Sequence, residues 1–390
     1  MTHTAASSGP GTGRKLLLIG GGHSHVEVLR RFGRHPVADM ALTLLSRDRH
    51  TPYSGMLPGY VAGHYRWADV HIDLARLARF AGARFIQDTA TGLMLEDRTV
   101  RCESGYVLPW DRLSLNIGST PSLEATGAAE HAVAVKPIHR FNDRWLALLA
   151  RVREGSRRLR IAVVGGGAGG VELLLAMQYR LRRECHALGQ DPDRLAFALF
   201  TRGRTILPTH PTGVQRRFLH VLAERGIGLH CGTAVSAVDA TGLETEDGRH
   251  HRADEVVWVT RAGGPEWLCE TGLALDSQGF IKVRESLQTV TDPDVFAAGD
   301  IASMVRHPRE KAGVVAVRQG PPLAANLRRS LTGRPVRAWR PQRHWLALIS
   351  TGDRYAVASR GWLGFGGRWL WHCKDWIDRR FMRRYRTRDD

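Results

Sequence analysis

Apolar runs that end in glycine recur along this chain. The run Lys15–Ile19 meets Gly20, and the run Arg160–Val164 meets Gly165. Short, fully apolar runs predict strands that are buried on both faces of a parallel sheet. Each of these two strands is followed by a glycine turn and then by a predicted helix. The pattern therefore predicts an α/β protein.

A third run of this kind lies late in the chain, where Phe296–Asp300 has the sequence Phe-Ala-Ala-Gly-Asp. A strand that ends in Gly299 and Asp300 places a carboxylate at the mouth of a parallel sheet, and the glycine lets the backbone come close to a ligand. In a flavoprotein such a carboxylate accepts a hydrogen bond from a ribityl hydroxyl. Three partial signals in this order predict a protein that binds dinucleotides.

Two glycine-containing segments predict where the chain crosses between domains. Residues 111–121 again form a strand that ends in glycine, at Gly118, and residues 254–260 lead into a glycine pair. We predict two Rossmann-like dinucleotide-binding domains, the second inserted in the first, plus a C-terminal α-rich, amphipathic region. The predicted parts are a disordered N-terminus (1–13), an FAD-binding domain (14–120 and 265–333), an NAD(P)H-binding domain (121–264) and a C-terminal membrane or interface region (334–390).

The first glycine turn opens a helix whose free N–H groups and dipole favour a pyrophosphate. Gly20 and Gly22 match two glycines of the dinucleotide fingerprint, while His25 stands at the third position, which normally allows close helix–strand packing. A strand–turn–helix without a ligand is the alternative. The next strand ends without the acid that usually binds the adenosine ribose. Ser46 is the predicted FAD ribose contact there, and Arg47 is a predicted phosphate or adenine neighbour.

The second glycine turn carries all three fingerprint glycines, Gly165, Gly167 and Gly170, followed by Glu172. This spacing favours nucleotide binding over a packing motif. The strand after it again ends without an acid. Arg202 and Arg204 stand at that point, and arginines there favour the 2′-phosphate of NADPH. Both NADH and NADPH stay open as the hydride donor.

Several other residues are predicted to face a flavin. Residues 51–59 form a loop that is stiffened by prolines and glycines, so Pro58 is a candidate to press on the ring, and a surface turn is the alternative. Lys136 faces the flavin or the nicotinamide, or is an ordinary solvated lysine. A helix N-terminus near Gly320 is predicted to point at the pyrimidine edge of the flavin. Gln319 is predicted to touch the ring or a second substrate.

Charge and cysteine content narrow the function classes. The 390 residues include 56 Lys and Arg against 38 Asp and Glu, a formal net charge of +18. This excess requires an anionic partner: a nucleotide cofactor, a lipid surface or nucleic acid. The five cysteines form no CxxC pair, so neither a zinc site nor a local redox disulfide is predicted, and no metal is assigned. The same cysteine spacing favours a reducing, cytoplasmic location, and the sequence predicts no signal peptide and no bilayer span.

The C-terminal region is rich in aromatic and basic residues. On a helix from about Arg368, one face would collect the apolar residues Trp369, Leu370, Cys373, Trp376, Ile377 and Phe381. A helix with an aromatic face and a cationic face is typical of an anionic membrane interface. Packing on its own domain, or on a second copy in a homodimer, is the alternative. No nucleic-acid-binding module motif is present, so nucleic acid is not a predicted partner.

The order of the two glycine turns and the late strand that ends in Gly299 and Asp300 resembles that of the superfamily of FAD- and NAD(P)-dependent pyridine nucleotide-disulfide oxidoreductases. The segments Gly165–Glu172 and Phe296–Asp300 carry the likeness. The missing cysteine pair separates the chain from the disulfide reductases and from sulfide:quinone oxidoreductase, and leaves a likeness to type II NADH:quinone oxidoreductase. The segments 20–26, 47–59 and 316–322 also resemble the flavoprotein family found fused ahead of selenide, water dikinase.

The resemblance implies a flavin-dependent NAD(P)H dehydrogenase at the inner face of a membrane, with a quinone or another small electron acceptor. FAD would be bound by Gly20, Gly22, Gly118 and Asp300, and NAD(P)H by Gly165, Gly167, Gly170 and Glu172. Glu172 would lie beside the nicotinamide carboxamide and Gln319 at the acceptor side, with Lys136 as the third catalytic candidate. The protein orients the two cofactors, while the redox chemistry belongs to them.

Two other functions stay open. One is a flavin-dependent reductase of a selenium or sulfur species, linked to selenophosphate metabolism. It would need a thiol near the flavin, for which Cys373 is the candidate. The other is a non-catalytic flavoprotein that docks on a membrane or on selenide, water dikinase through its basic tail.

Overall fold

The computed structural model describes residues 13–123, 125–155, 157–260 and 262–386. The predicted disordered N-terminus, residues 1–13, lies outside this part of the chain except for Gly13. The α-helices are α1 (His23–Arg34), α2 (Leu57–Val61), α3 (Leu74–Phe80), α4 (Ala128–His131), α5 (Ile138–Glu154), α6 (Ala168–Ala187), α7 (Thr212–Glu224), α8 (Gly313–Leu331) and α9 (Arg368–Arg383). Short 3₁₀ helices span Ser54–Met56, Trp67–Val70, Pro192–Arg194, Glu266–Glu270 and Gly299–Ile301.

The β-strands are β1 (Arg14–Ile19), β2 (Met40–Ser46), β3 (His50–Pro52), β4 (His71–Asp73), β5 (Arg84–Gln87), β6 (Ala90–Met94), β7 (Thr99–Cys102), β8 (Val107–Pro109), β9 (Arg112–Leu115), β10 (Thr120–Pro121), β11 (Ala132–Ala134), β12 (Leu159–Val164), β13 (Leu195–Thr201), β14 (Gly228–Cys231), β15 (Val235–Asp239), β16 (Gly242–Thr245), β17 (His250–Arg252), β18 (Glu255–Trp258), β19 (Ala262–Gly263), β20 (Ile281–Val283), β21 (Val295–Ala297), β22 (Ala302–Met304), β23 (Ala347–Ser350), β24 (Ala356–Arg360) and β25 (Leu363–Gly367).

Two parallel sheets form the centres of two Rossmann-like units. The first has the strand order β5-β2-β1-β9-β21, and the second has the order β14-β13-β12-β18-β11. Neighbouring strands in both sheets run parallel. The ends of β1 and β12 are buried on both faces, which explains why both runs are apolar throughout. The predicted α/β fold with two Rossmann-like units is confirmed.

The second unit is inserted in the chain of the first. Strand β21 pairs with β9 in the first sheet, although it follows every strand of the second sheet in sequence. The two connections between the units also meet, because β10 and β19 pair antiparallel with Thr120 opposite Gly263. These connections lie where the glycine segments predict them. The exact domain boundaries stay a prediction.

The C-terminal region contains a small sheet as well as a helix, so it is less helical than predicted. Strands β23, β24 and β25 form an antiparallel sheet, and α9 follows it directly. Leu370 and Trp371 of α9 pack on β24. Phe381 and Met382 lie about three turns further along the same helix, and they join the hydrophobic core of the first unit. The inner side of α9 therefore packs on its own chain.

Helix α8 begins at Gly313, one and a half to two turns earlier than the predicted start near Gly320. Pro321 and Pro322 lie inside the helix, and prolines without an N–H group are typical of a helix start, which explains the error. Gly320 lies where α8 crosses α1. A Cβ at that position would come within 2.7 Å of Glu27 Cβ, so glycine allows the two helices to pack closely.

Candidate active site

The first glycine turn is held against the ends of two strands by Asn116, which follows β9. Its Oδ1 accepts hydrogen bonds from the N–H groups of Ser24 (3.1 Å) and His25 (3.2 Å). Its Nδ2 donates to the Ala298 carbonyl at 2.6 Å. A Cβ at Gly22 would come within 2.3 Å of Asn116 Oδ1. The sequence analysis does not single out Asn116, whose one signal is its position directly after a buried strand.

His25, at the third fingerprint position, is a buried support of this turn. Its Nδ1 lies 2.7 Å from the Gly20 carbonyl oxygen, and its Nε2 lies 2.8 Å from Ser114 Oγ. A carbonyl only accepts, so Nδ1 carries the proton and Nε2 accepts from the serine hydroxyl. Burial lowers the pKa of His25 to about 4, so the ring is neutral. Both ring nitrogens are engaged inside the protein, so the predicted contact of this ring with FAD is not supported.

The structure brings several predicted residues together at the end of β21. Lys136, between β11 and α5, lies with its Nζ 2.7 Å from Asp300 Oδ2. Gly299 has a φ of +74°, and a Cβ there would come within 2.3 Å of Asn116 Nδ2. Gln319 is buried, and its Oε1 accepts a hydrogen bond from the Gly299 N–H group at 2.6 Å. Gln319 therefore fixes the glycine turn that presents the Asp300 carboxylate.

A cleft of about 210 Å³ opens beside Asp300. Ala312 and Val315 line it, so the N-terminus of α8 faces this cleft. The predicted start of this helix near Gly320 is therefore corrected to residue 313, because the helix already includes the Gly-Pro-Pro segment. The partial positive charge of a helix N-terminus is still directed at the site, but from a different residue.

Lys311 also lines this cleft, and the sequence analysis assigns it no role. Its Nζ donates to the Ala302 carbonyl at 2.7 Å and lies 3.9 Å from the centroid of the Phe280 ring. Burial lowers the pKa of Lys311, although nearby carboxylates that include Asp300 oppose the shift. Lys311 thus places an ammonium group in the cleft, whereas Lys136 pairs with Asp300 and does not line the cleft itself.

The predicted loop at residues 51–59 is instead the Ser54–Met56 3₁₀ helix followed by α2. Pro58 lies in the first turn of α2, where a missing N–H group costs no hydrogen bond, and it is buried. The Gly55 carbonyl accepts a hydrogen bond from Lys374 Nζ of α9 at 2.6 Å. This segment therefore lies against the tail helix. A contact between Pro58 and a flavin ring stays a prediction.

The three glycines of the second turn have three different roles. Gly165 has a φ of +133°, and its N–H group donates to the Phe200 carbonyl at 2.8 Å. A Cβ at Gly170 would come within 1.9 Å of the Gly165 carbonyl oxygen, so glycine there lets α6 pack on the turn. A Cβ at Gly167 would meet no described atom within 4 Å. Gly167 therefore faces open space at the N-terminus of α6, where a pyrophosphate can approach.

The predicted adenosine contacts lie at the strand ends of two different sheets. Ser46 Oγ donates to the Asp48 carbonyl at 3.0 Å, and Arg47 pairs with the Asp48 carboxylate at 3.0 Å on the surface. Arg202 is exposed directly after β13. Gly118 has a φ of +76° beyond the end of β9. These four positions border the openings of the two sheets, and their contacts with cofactors stay predictions.

Glu172 is joined to the C-terminal region, which the sequence analysis does not predict. The Ser350 N–H group at the end of β23 donates to Glu172 Oε1 at 2.6 Å. Burial raises the pKa of Glu172 to about 7, although the charge of Lys374 opposes the shift. Lys374 Nζ lies 2.7 Å from Asp378 Oδ2, and both of these side chains are buried. The contacts of Glu172 are thus with the tail, and its predicted place beside the nicotinamide is not supported.

Further contacts extend from the Lys374–Asp378 pair of α9 towards the first glycine turn. Burial and the charge of the nearby Asp378 carboxylate raise the pKa of the Tyr53 hydroxyl group. The Tyr53 ring stacks on Phe381 with centroids 4.3 Å apart and meets the His23 ring edge-on at 5.4 Å. His23 is the first residue of α1. Ring contacts therefore connect α9 with the first glycine turn, and Glu172 joins the same C-terminal region through its hydrogen bond from Ser350.

The outer side of the C-terminal region exposes aromatic side chains. Trp362, in the turn between β24 and β25, is 84% exposed, and Trp369 and Trp376 of α9 are 57% and 54% exposed. The apolar face predicted for this helix is therefore only partly exposed, because Leu370 and Phe381 are buried against the protein while the two tryptophans are not. Within the described residues, no helix is long and apolar enough to cross a membrane.

Residues 14–320 match the model of the pyridine nucleotide-disulphide oxidoreductase family. The chain belongs to this family. The type II NADH:quinone oxidoreductase of Staphylococcus saprophyticus is 20% identical over 339 residues, which are 83% of this chain and 84% of that relative. The type II NADH:quinone oxidoreductase of Haemophilus influenzae is 26% identical over 224 residues, 51% of this chain. That match spans half the length of the Haemophilus relative.

Two solved structures show the shared fold of the pyridine nucleotide-disulphide oxidoreductase family. The sulfide:quinone oxidoreductase of Aquifex aeolicus has a TM-score of 0.80 at 18% identity, covering 96% of this chain and 92% of that chain. NDH2 of Plasmodium falciparum in complex with NADH has a TM-score of 0.79 at 14% identity, covering 95% and 96%. As a family member, the chain is an NAD(P)H-dependent flavin oxidoreductase whose cofactors are FAD and NADH or NADPH.

The residues at the first glycine turn fit FAD. Side chains larger than glycine have no room at Gly20, Gly22 or Gly299, because a Cβ there would meet Asn116, so these glycines let the turn pack tightly at the strand ends. The Asp300 carboxylate stands at the mouth of the sheet. His23 Nε2 is buried without a hydrogen-bond partner among the described residues, so this turn contains a polar atom that a cofactor can satisfy.

Proposed function

We propose that this oxidoreductase takes hydride from NAD(P)H and passes electrons to a quinone or another small acceptor at a membrane surface. The observation that carries the proposal is the partly buried Glu172 together with the Lys374–Asp378 ion pair, on the inner side of the tail whose outer side exposes aromatic rings. Quinone reduction consumes two protons as well as two electrons, so it needs proton-holding groups beside the flavin. The curated relatives are type II NADH:quinone oxidoreductases, which supports the same acceptor.

The chain's own residues would bind and orient the two cofactors. Bound FAD would supply the redox chemistry between NAD(P)H and the acceptor. Asp300 would accept a hydrogen bond from the ribityl chain, while Gln319 holds the adjoining Gly299 N–H group and Lys136 holds the carboxylate in place. In the second unit, Gly165, Gly167 and Gly170 would admit the pyrophosphate of NAD(P)H to the N-terminus of α6.

Glu172 is the residue that we assign to holding a proton for the acceptor. Because its pKa is raised to about 7 by burial, it exchanges a proton readily at neutral pH. Lys374 and Asp378 lie next to it, and Tyr53 extends the polar contacts towards the first glycine turn. We therefore propose a role on the acceptor side for Glu172 in place of the nicotinamide side.

The proposed membrane contact is made by the outer side of the C-terminal region. Trp362, Trp369 and Trp376 are exposed there, and Arg380 lies 5.1 Å from the Trp376 ring. Exposed indole rings beside guanidinium groups are suited to an interface with anionic lipid headgroups. A peripheral position on the inner face of a membrane is thus proposed, and a homodimer through the same surface is the competing outcome.

The two other functions have less support. Cys373, the candidate thiol of a selenium or sulfur reductase, is exposed, whereas the neighbouring Lys374 points into the protein. The connection to selenide, water dikinase, and with it a non-catalytic docking role, stays a hypothesis from three short sequence segments. Among the contacts of the described residues, none favours either function.

The decisive experiment uses the purified protein loaded with FAD. Anaerobic NADH or NADPH is expected to bleach the visible flavin absorption, and a water-soluble quinone is expected to restore it. Glu172→Gln should slow the reoxidation by quinone and leave the reduction by NAD(P)H unchanged. If NAD(P)H reduces the flavin and no quinone reoxidises it, the proposed acceptor is wrong, and selenite or polysulfide should be tested in the same assay.

A further inference from the structure

His23 is a polar residue of the first glycine turn whose hydrogen bonding is incomplete. Its Nε2 is buried and has no hydrogen-bond partner among the described residues. Native proteins rarely retain such an atom, because leaving a buried polar group unpaired forfeits the hydrogen bond it makes in water. An unpaired nitrogen at a cofactor-binding turn therefore points to a ligand group as its partner.

Aromatic neighbours from two distant parts of the chain hold the imidazole in place. The Tyr53 ring meets it edge-on, with centroids 5.4 Å apart and an interplanar angle of 82°. The Phe381 ring of α9 lies 6.0 Å away. Close packing on these sides restricts rotation of the ring, so the direction of Nε2 is set before a ligand binds.

The protonation of the ring determines which ligand groups Nε2 can contact. The Pro52 carbonyl lies beside the ring and favours its protonation, and because Nε2 has no partner among the described residues, we assign the Pro52 contact and the proton to Nδ1. Burial lowers the pKa of His23 to about 4, although the charge of Asp300 opposes the shift. The ring is therefore neutral near pH 7, and Nε2 offers a lone pair. It suits a hydroxyl or N–H donor, and not an unprotonated phosphate oxygen.

We propose that His23 is a positioning residue for FAD and that its Nε2 accepts a hydrogen bond from a ribityl hydroxyl group. The inference rests on the proposed binding of FAD at the first glycine turn. His23 is the first residue of α1 and lies near enough to Asp300 for the two to interact electrostatically. The ribityl chain supplies hydroxyl donors beside the Asp300 carboxylate, whereas the diphosphate of FAD supplies none.

The test compares FAD affinity in three proteins. His23→Phe keeps a ring against Tyr53 and Phe381 but removes the acceptor, and His23→Asn restores an acceptor oxygen. We expect His23→Phe to raise the Kd for FAD about fivefold and His23→Asn to recover part of that loss, as for one neutral hydrogen bond. The readout is titration of the apoprotein by flavin fluorescence, which does not depend on turnover.

FAD analogues that lack one ribityl hydroxyl at a time identify the ligand group. One of them is expected to bind the wild type about fivefold more weakly than FAD, while His23→Phe binds it and FAD equally. ADP serves as the diphosphate probe. If His23→Phe weakens ADP as much as FAD, Nε2 contacts the diphosphate half and the ribityl assignment is wrong.

His64→Phe is the matched control, because His64 Nε2 already lies 2.7 Å from the Gly352 carbonyl oxygen. It should leave the Kd for FAD unchanged. Thermal unfolding of each apoprotein establishes whether it is folded. If His23→Phe is not folded, the binding of FAD and its analogues to His23→Asn tests the proposal instead. If a folded His23→Phe binds FAD with the affinity of the wild type, the proposed role of His23 is wrong, while the proposed function still stands. Failure of the wild type to bind FAD overturns the proposed function instead.

Discussion

Lys136 Nζ lies 2.7 Å from Asp300 Oδ2, so a side chain from the start of the inserted unit reaches the carboxylate at the end of β21. The Lys136 side chain is 43% exposed, and ion pairs of this kind contribute about 1 kcal/mol or less to stability. The pair is therefore more important for placing two charges beside the cleft than for holding the units together.

Substitutions at the two ends of this pair are expected to differ. Asp300→Ala removes the proposed acceptor for a ribityl hydroxyl, so we expect the Kd for FAD to rise about tenfold or more. Lys136→Met leaves that acceptor in place and should change the Kd much less. Both values are obtained by fluorescence titration of the apoprotein. Equal losses in the two variants would contradict direct binding by Asp300.

Substitutions at two glycines of the second turn are expected to distinguish effects on folding from effects on cofactor binding. In Gly170→Ala the new methyl group would come within 1.9 Å of the Gly165 carbonyl oxygen, so α6 must move and the unfolding temperature should fall. In Gly167→Ala the methyl group enters open space, so the fold should tolerate it, while the pyrophosphate loses its approach. We expect both variants to bind NADH at least about tenfold more weakly. Wild-type NADH binding in Gly167→Ala would show that the cofactor does not approach there.

Glu172→Gln is expected to change how stability depends on pH. The pKa of Glu172 is about 7 in the folded protein and 4.5 in an ordinary setting, so between these values the folded state keeps a proton that the unfolded state loses. Wild-type stability due to this group therefore falls as pH rises from about 4.5 to about 7. The variant lacks that loss, so its free energy of unfolding should improve relative to wild type between pH values of about 5 and about 8 in urea titrations.

Glu184, on the same helix, is the matched control with the opposite sign. Its hydrogen bond from Arg153 lowers the pKa of its carboxyl group below the usual value of 4.5. This contribution to stability is present above pH 4.5 and is lost as pH falls through the folded pKa. Glu184→Gln should therefore be less stable than wild type at neutral pH and approach it in acid. The same slope in both variants would rule out a buried, proton-holding Glu172.

Arg202→Glu tests the choice between the two nicotinamide cofactors. If Arg202 binds a 2′-phosphate after β13, reversing its charge should lower the ratio of kcat/KM for NADPH to that for NADH by about tenfold. Arg216→Glu, at an exposed position on α7, is the control for a general change of surface charge. An unchanged ratio in Arg202→Glu would remove this residue from the coenzyme site.

The aromatic surface of the tail is best tested by substitution. Truncation after Ala358 would also remove Phe381 from the core of the first unit, so it would not report on the membrane alone. Replacing Trp362 and Trp369 by serine is expected to reduce cosedimentation with anionic liposomes and to leave the FAD content unchanged. Tyr106→Ser, at a position that is 68% exposed on a different hairpin, is the matched control. Retained liposome binding together with a loss of dimers would identify the surface as a contact between two copies.

Local sequence patterns gave wrong predictions for the start of α8 and for the exposure of the apolar residues of α9. Gly320-Pro-Pro has the composition of a helix start, but packing of α8 on α1 keeps the helix continuous from Gly313. The apolar residues of α9 share a helical stripe, yet Phe381 enters the core while Trp369 remains outside. Helical periodicity records which residues share a face. It does not record how much of that face another element covers.

The sequence by itself determined the two parallel sheets, their order along the chain and the positions of both glycine turns, because apolar strand runs and steric demands for glycine are local properties. Only the tertiary structure decided that Asn116 caps the first turn, that His25 supports it, and that Glu172 accepts a hydrogen bond from Ser350 in the tail. These contacts join residues far apart in sequence. Their hydrogen bonds and pKa shifts arise from burial, which exists only once the sheets and helices have packed together.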